Sequence, residues 1–213
     1  FRPVVLVGGG VRLSKAQNEL LKFIHKTGIP VVTSLMGLDA FLHNDQLFVG
    51  MIGSYGNRYA NLAIANSDLV LALGTRLDTR QTGTRPETFA RKAKIIHVDI
   101  DPYELNSRRK TGLSLNFNAK DFLAILNKHI GKYDKNKIQP WRKIIAGYKK
   151  KYPSYKIDKK EFSSLIALMN YDKKIEMGKI NFSLLSEVGK CLVNQNCSES
   201  LILESIDYFN SLS

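Results

Sequence analysis

Opposite charges alternate in the loop over residues 74–83, Gly-Thr-Arg-Leu-Asp-Thr-Arg-Gln-Thr-Gly, which follows an apolar run at 69–73. Arg76 and Arg80 carry planar guanidinium groups, which bind a diphosphate through paired hydrogen bonds. Asp78 is able to orient an arginine or to accept a hydrogen bond from a sugar hydroxyl. An internal salt bridge between Asp78 and an arginine is an equally good interpretation of this motif alone.

Two glycine-rich turns supply further positions where a backbone can approach a phosphate. Gly8-Gly9-Gly10 ends an apolar run at 4–7, and residues 50–61 contain three glycines before a helical pattern. Backbone N–H groups at such turns and helix starts favour negative charge. Tyr55 in the second turn is placed to stack on a ring. A plain tight turn and a loop with an ordinary helix cap are the alternatives.

Two carboxylates follow the apolar run at 94–98. Asp99 and Asp101 are both placed to accept hydrogen bonds from ribose hydroxyls. The alternative for Asp101 is capping of a helix that begins at Pro102. His97 is interpreted as a buried, hydrogen-bonded histidine without a role in binding.

Signatures of several other functions are absent from the sequence. The dinucleotide fingerprint needs a third glycine where Leu13 stands and an acidic residue at the end of the second strand, where Val32-Thr33 stand. Neither a Gly-x-Ser-x-Gly motif nor a Walker loop occurs. Cys191 and Cys197 lack neighbouring metal ligands, and two reduced thiols are typical of a cytoplasmic protein. We predict no catalytic residue, no metal site and no membrane-spanning helix in this chain.

The elements that position these loops alternate between strand and helix patterns. We predict an α/β domain over residues 1–130, an open, Rossmann-like parallel sheet with helices on both faces. Ligands of such sheets lie beyond the carboxyl ends of the strands, so the loops above are expected to form one nucleotide crevice. Ser14 with Gln17 is predicted to form a capping box, and Asn57 to cap a helix. The predicted strands lie at 4–7, 31–33, 69–73, 94–99 and 113–115, and the helices at 14–24, 57–66 and 119–129.

The remaining chain is predicted to be a mostly helical C-terminal extension. Residues 131–180 contain 14 Lys and Arg against 5 Asp and Glu. We interpret this segment as a basic helical linker with a solvated face, because its lysines alternate with apolar residues; binding of nucleic acid is the less favoured alternative. Residues 181–192 are predicted to form a helix, and residues 201–203 a strand.

The order and spacing of residues 50–61, 67–83 and 93–104 resemble the central domain of acetolactate synthase, over about residues 1–130. In that family this domain binds FAD in an extended form, while some relatives bind ADP and others no nucleotide. The chain has Ser54-Tyr55 where the family has Met-His, and Phe117-Asn118 where it has Gly-Asp, which leaves all three outcomes open. By resemblance the cofactor contacts Gly9, Gly10, Ser34, Leu35, Gly53, Tyr55, Gly56, Asn57, Gly74, Arg76, Asp78, Arg80, Asp99 and Ile100.

The resemblance implies a larger parent enzyme that converts 2-ketoacids such as pyruvate with thiamine diphosphate and Mg²⁺. The family binds both in its C-terminal domain through a Gly-Asp-Gly motif, which this chain lacks, and its activating glutamate would precede Phe1. The N- and C-terminal domains are therefore the expected partners, within a homo-oligomer. Residues 181–213 are predicted to begin that C-terminal domain. The alternatives are a free-standing, sirtuin-like nucleotide-binding module and a non-catalytic interaction protein that uses residues 131–180.

The purified chain alone is expected to form no acetolactate and to release no carbon dioxide from pyruvate. The reason is that the residues that hold and activate the thiamine ring in the family have no counterpart in this sequence. The measurement is pyruvate turnover with thiamine diphosphate and Mg²⁺ added. Turnover above that of a heat-denatured sample would contradict the assignment of catalysis to other domains.

Overall fold

The computed structural model describes the chain except residues 132, 154, 172–174, 177, 178, 188, 189, 212 and 213. The chain divides into two compact units, Phe1–Tyr152 and Pro153–Ser213. Residues 131–152, which the sequence analysis assigns to the linker, thus belong to the first unit. Within the described residues, no helix is both long enough and apolar enough to cross a membrane.

A six-stranded parallel sheet forms the centre of the first unit. Its order is β3-β2-β1-β4-β5-β6, so the chain leaves β1 in one direction and returns to β4 on the other side. Ligands of open α/β sheets lie at such a reversal of strand order. The predicted fold class is confirmed. The strands are β1 (Pro3–Val7), β2 (Val31–Thr33), β3 (Phe48–Met51), β4 (Leu69–Leu73), β5 (Lys94–Asp99) and β6 (Leu113–Asn116).

Helices cover both faces of this sheet because successive buried side chains of β1 point to opposite sides. Val5 and Val7 belong to one apolar cluster, with side chains of α1, α2 and α5. Val4 and Leu6 belong to the other cluster, with side chains of α3 and α6. The helices are α1 (Gly9–Leu13), α2 (Gln17–Thr27), α3 (Arg58–Asn66), α4 (Thr79–Thr82), α5 (Ala119–His129) and α6 (Gln139–Lys151).

Helix α6 packs its apolar side against the sheet and leaves its basic side in solvent. Trp141 is 1% exposed, and its indole Nε1–H donates a hydrogen bond to the Pro3 carbonyl oxygen at 3.1 Å. Tyr148 contacts the Trp141 ring edge-on, while Lys143 and Lys150 are exposed. One buried tryptophan therefore fastens this basic helix to the start of β1.

The second unit contains α7 (Phe162–Met169), an antiparallel sheet of β7 (Ile175–Glu176), β8 (Lys179–Glu187) and β9 (Lys190–Asn196), and α8 (Glu199–Ser211). The helical part of the predicted extension is present, whereas this three-stranded sheet was not predicted.

Two predicted elements of the second unit are wrong. The helix predicted at residues 181–192 is a pair of antiparallel strands, because Ile180, Phe182 and Leu184 alternate with polar residues at the period of a strand. The strand predicted at 201–203 is the first turn of α8, whose apolar side chains recur at helical spacing down to Phe209.

Smaller differences concern an edge strand and two caps. Strand β3 was not predicted, because Gly50 interrupts the apolar pattern there and the pairing with β2 shifts register. The capping box is also wrong, since α2 begins after Ala16 and the Ser14 hydroxyl donates to the Val11 carbonyl oxygen. Asn57 does precede α3 as predicted, but its side chain accepts a hydrogen bond from the Met51 N–H.

Replacement of Trp141 with Ala is expected to lower the free energy of unfolding by about 3–5 kcal/mol, because it leaves a cavity and an unpaired Pro3 carbonyl. The matched control is Ile144→Ala in the same helix, where the side chain is 45% exposed, and the expected change is within about 0.5 kcal/mol. Urea denaturation followed by circular dichroism measures both. Equal losses in the two variants would contradict the described packing of α6.

Candidate functional site

A cleft of about 440 Å³ lies at the carboxyl ends of the strands, where the order of the sheet reverses. Gly53, Gly56 and Asn57 are predicted site residues that do not line it. Arg12, Met36, Thr75 and Gln81 line it although the sequence analysis does not predict them. The predicted residues that line the cleft are Gly9, Gly10, Ser34, Leu35, Tyr55, Gly74, Arg76, Asp78, Arg80, Asp99 and Ile100.

The centre of the cleft is formed by two glycine turns in direct backbone contact. Gly10 N–H donates to the Gly74 carbonyl oxygen at 2.9 Å, and a Cβ on Gly10 would lie 2.7 Å from the Gly74 Cα. Gly8 N–H donates to the Leu73 carbonyl oxygen. These two N–H groups are thus used within the protein and are not free to bind a phosphate. The tight-turn interpretation accounts for Gly8 and Gly10, while Gly9 remains on the cleft wall.

The loop after β4 is fixed by its own side chains. The Asp78 carboxylate caps α4 and accepts hydrogen bonds from the N–H groups of Arg80 and Gln81, at 3.0 and 3.2 Å. Leu77 adopts a left-handed conformation with φ of +50°, and its side chain is buried. Such a conformation is unfavourable for a branched residue and persists only where its surroundings hold it. The backbone of this loop is therefore preorganised.

The two arginines of this loop remain accessible. Arg76 is exposed, and its guanidinium lies 3.9 Å from the Asp78 carboxylate and 4.0 Å from that of Glu104. Contacts of this length in solvent contribute little stability, so the internal salt bridge is a minor feature. Arg80 is also exposed, and its guanidinium forms no ion pair with any carboxylate in the described part of the chain. Both side chains are free to turn toward an anion.

Asp99 stands at the next strand end, where β5 finishes. Its side chain is buried, and Oδ1 accepts a hydrogen bond from the Asp101 N–H at 3.0 Å. Asp101 accepts from the Tyr103 N–H at 2.9 Å within a turn. The alternative interpretation of Asp101 as a helix cap is wrong, since residues 102–106 form turns rather than a helix. His97 is buried as predicted, with Nε2 2.7 Å from the Thr75 carbonyl oxygen.

The glycine turn after β3 forms the outer wall. Gly53 has φ of +102°, and a Cβ there would lie 2.5 Å from the carbonyl oxygen of Arg80. The Ser54 N–H donates to that same oxygen at 2.9 Å, which joins this turn to the loop after β4. Tyr55 extends from the wall and is exposed. The turn therefore contributes to the wall of the cleft, although three of its residues do not line the cleft: Gly53, Gly56 and Asn57.

Arg12 is a cation of the cleft that the sequence analysis misses. Its Nη1 lies 2.7 Å from the Asp39 carboxylate, and the side chains are 29% and 10% exposed. Asp39 belongs to the 3-10 segment Leu35–Ala40, so the pair ties α1 to the segment that supplies Leu35 and Met36 to the cleft. The signal in the sequence is a single acid within an otherwise apolar stretch, which needs a cationic partner if it is buried.

Residues 1–126 match the family described as "Thiamine pyrophosphate enzyme, central domain". The chain belongs to this family. The matched region contains all six strands of the parallel sheet and most of α5, so the cleft lies within the thiamine pyrophosphate enzyme central domain.

Several acetolactate synthases are similar to the central domain described here. The large subunit from Cyanidium caldarium is 40% identical over 156 residues, which are 71% of this chain and 26% of that protein. Acetolactate synthase 2, chloroplastic, from Nicotiana tabacum is 43% identical over 155 residues, 71% of this chain and 23% of that protein. Probable acetolactate synthase 2, chloroplastic, from Oryza sativa subsp. japonica is 48% identical over 126 residues, which are 59% of this chain and 19% of that protein. The chain spans about a quarter of the length of these relatives.

Arg12→Met is expected to lower the free energy of unfolding by about 3 kcal/mol, because it leaves the Asp39 carboxylate buried and unpaired. The value is at the low end for a buried pair because Arg12 keeps 29% of its side chain exposed. The double variant Arg12→Met/Asp39→Asn is expected to recover most of the loss. As a control, Lys159→Met breaks an exposed pair with Asp207, and the expected change is below about 1 kcal/mol. Urea titration tests all three, and a double variant as unstable as the single one would contradict this account.

Proposed function

We propose that this chain is the nucleotide-binding central domain of a thiamine-diphosphate-dependent 2-ketoacid lyase or transferase of the acetolactate synthase type. We also propose that its cleft binds FAD or ADP. The observation that carries the proposal is the cleft itself, where two accessible arginines and a buried carboxylate meet at the reversal of strand order. Its volume falls within the roughly 300–1,000 Å³ typical of pockets for small ligands.

Each polar group of the cleft suits one part of an adenine dinucleotide. Arg76 and Arg80 offer the forked donors that pair with a diphosphate. Asp99 offers a carboxylate at the next strand end for ribose hydroxyls. Tyr55 and Met36 offer exposed apolar surface for a ring. We assign the diphosphate to the loop after β4, since its cations are not engaged by strong ion pairs.

The chemistry proposed for the parent enzyme belongs to its other domains. Thiamine diphosphate bound in the parent enzyme would supply the chemistry for decarboxylation of a ketoacid such as pyruvate, while the protein would contribute binding and positioning. We assign thiamine diphosphate and Mg²⁺ to the other domains, because the sequence contains no Gly-Asp-Gly motif. The central domain then acts as a binding and structural part of that enzyme.

The proposed partners are the N- and C-terminal domains of the parent enzyme and further copies in a homo-oligomer, in the cytoplasm. Exposed apolar side chains at the mouth of the cleft support a covering partner or ligand. Leu13, Met36 and Tyr55 are all exposed there, and contiguous exposed apolar surface is typical of binding sites.

Titration of FAD and of ADP into the chain, by calorimetry, tests the proposed site. Arg80→Ala is expected to weaken binding about tenfold to a hundredfold, since it removes a charge-assisted contact. Asp99→Ala is expected to weaken binding less, because water replaces part of a ribose contact. Arg91→Ala, an exposed arginine outside the cleft, is the matched control and is expected to bind as the wild type does.

Binding that neither cleft substitution weakens would contradict the placement of the site. If the wild type binds neither ligand, FAD and ADP are excluded as ligands of the isolated chain.

A further inference from the structure

A buried imidazole lies beneath the loop after β4 and contacts its backbone. His97 is 1% exposed, and its Nε2 lies 2.7 Å from the Thr75 carbonyl oxygen. A carbonyl oxygen only accepts hydrogen bonds, so Nε2 carries the proton. Nδ1 is buried and has no hydrogen-bond partner among the described residues. The ring therefore makes one directed contact, and that contact is to the loop of the cleft.

The path of the chain explains how this contact arises. His97 pairs with Ala72 in the register of β4 and β5, three residues before Thr75. Gly74 has φ of +53° and donates its N–H to the Val98 carbonyl oxygen at 2.8 Å. The chain thus turns back over the sheet at Gly74, and the next carbonyl comes to the imidazole.

Thr75 is held from two directions. Its carbonyl accepts from His97, and its hydroxyl donates to the Gln81 side-chain oxygen at 2.7 Å. Thr75 is itself buried, so its carbonyl oxygen would lose its only protein donor in the described structure if the imidazole were removed. A buried carbonyl without a donor is unfavourable, which would favour rotation of the peptide group next to Arg76.

We propose that His97 is a positioning residue of the cleft. Its Nε2–H fixes the Thr75 carbonyl and thereby sets the direction in which Arg76 leaves the backbone and the curvature of the loop up to Gly83. The inference rests on the proposed function as far as the ligand is concerned. The fixing of the loop itself can be measured without any ligand.

Two substitutions separate the hydrogen bond from the volume of the ring. His97→Gln keeps an N–H donor at the end of a side chain of similar reach, whereas His97→Met fills the space and removes the donor. The readout is amide hydrogen exchange of the ligand-free chain, followed by mass spectrometry of the peptide that spans residues 74–83. A peptide from α2, on the other face of the sheet from α3 and α6, is the internal control.

Exchange within residues 74–83 is expected to be about tenfold faster in His97→Met and close to the wild type in His97→Gln, with α2 unchanged in both. The inference is overturned if the Met variant leaves the loop peptide unchanged, or if exchange rises equally in α2. It is also overturned if the Gln variant behaves as the Met variant does.

The ligand arm distinguishes this inference from the proposed function. If the wild type binds FAD or ADP, His97→Met is expected to weaken binding by about the factor measured by exchange, and unchanged affinity would overturn the positioning role toward the ligand. If the wild type binds neither, the proposed function fails, and the exchange result alone decides whether His97 holds the loop.

Discussion

The backbone contact between Gly10 and Gly74 constrains the whole site. With a Cβ on either residue, the turn after β1 and the turn after β4 could not approach to the observed distance, and the hydrogen bond between them would be lost. At this contact the cleft is lined by backbone, because neither glycine carries a side chain. Arg12 stands on the side of the segment after β2, and Arg76 on the side of the residues after β5. The shape of the cleft follows from one close approach, and its polarity follows from the residues around it.

Much of the first unit could be predicted because its strands are buried on both faces. A continuous apolar run such as residues 69–73 has few interpretations once a glycine ends it and a helical pattern follows. Strand β3 was not predicted because it lies at the edge of the sheet, where Gly50 takes the place of an apolar residue and the register shifts. In the second unit, the apolar residues of short segments fit both the helical period and the two-residue period of a strand. The helical period predicts a helix at 181–192, whereas the two-residue alternation is the one that forms β8 and β9.

The position of the site could be predicted for the same reason as the sheet, since parallel strands bring their carboxyl ends to one edge. The hydrogen-bond and ion-pair partners within the site could not be predicted. That Gly10 donates to Gly74, that Arg12 pairs with Asp39 and that His97 reaches Thr75 all depend on contacts between residues distant in sequence. Local spacing indicates that a glycine permits a turn, but it does not tell whether the freed backbone group meets a ligand or another turn.

The bond from Trp141 to Pro3 bears on how the unit is completed during synthesis. The two residues are 138 positions apart, so the first strand of the parallel sheet receives part of its cover on one face from the last helix of the unit. Until α6 has left the exit tunnel, the apolar side chains of Val4 and Leu6 lack the indole that seals them. A nascent chain in this state exposes apolar surface that invites aggregation and engages chaperones. The arrival of α6, later than any strand of the parallel sheet, is thus the translational step that closes the second apolar cluster.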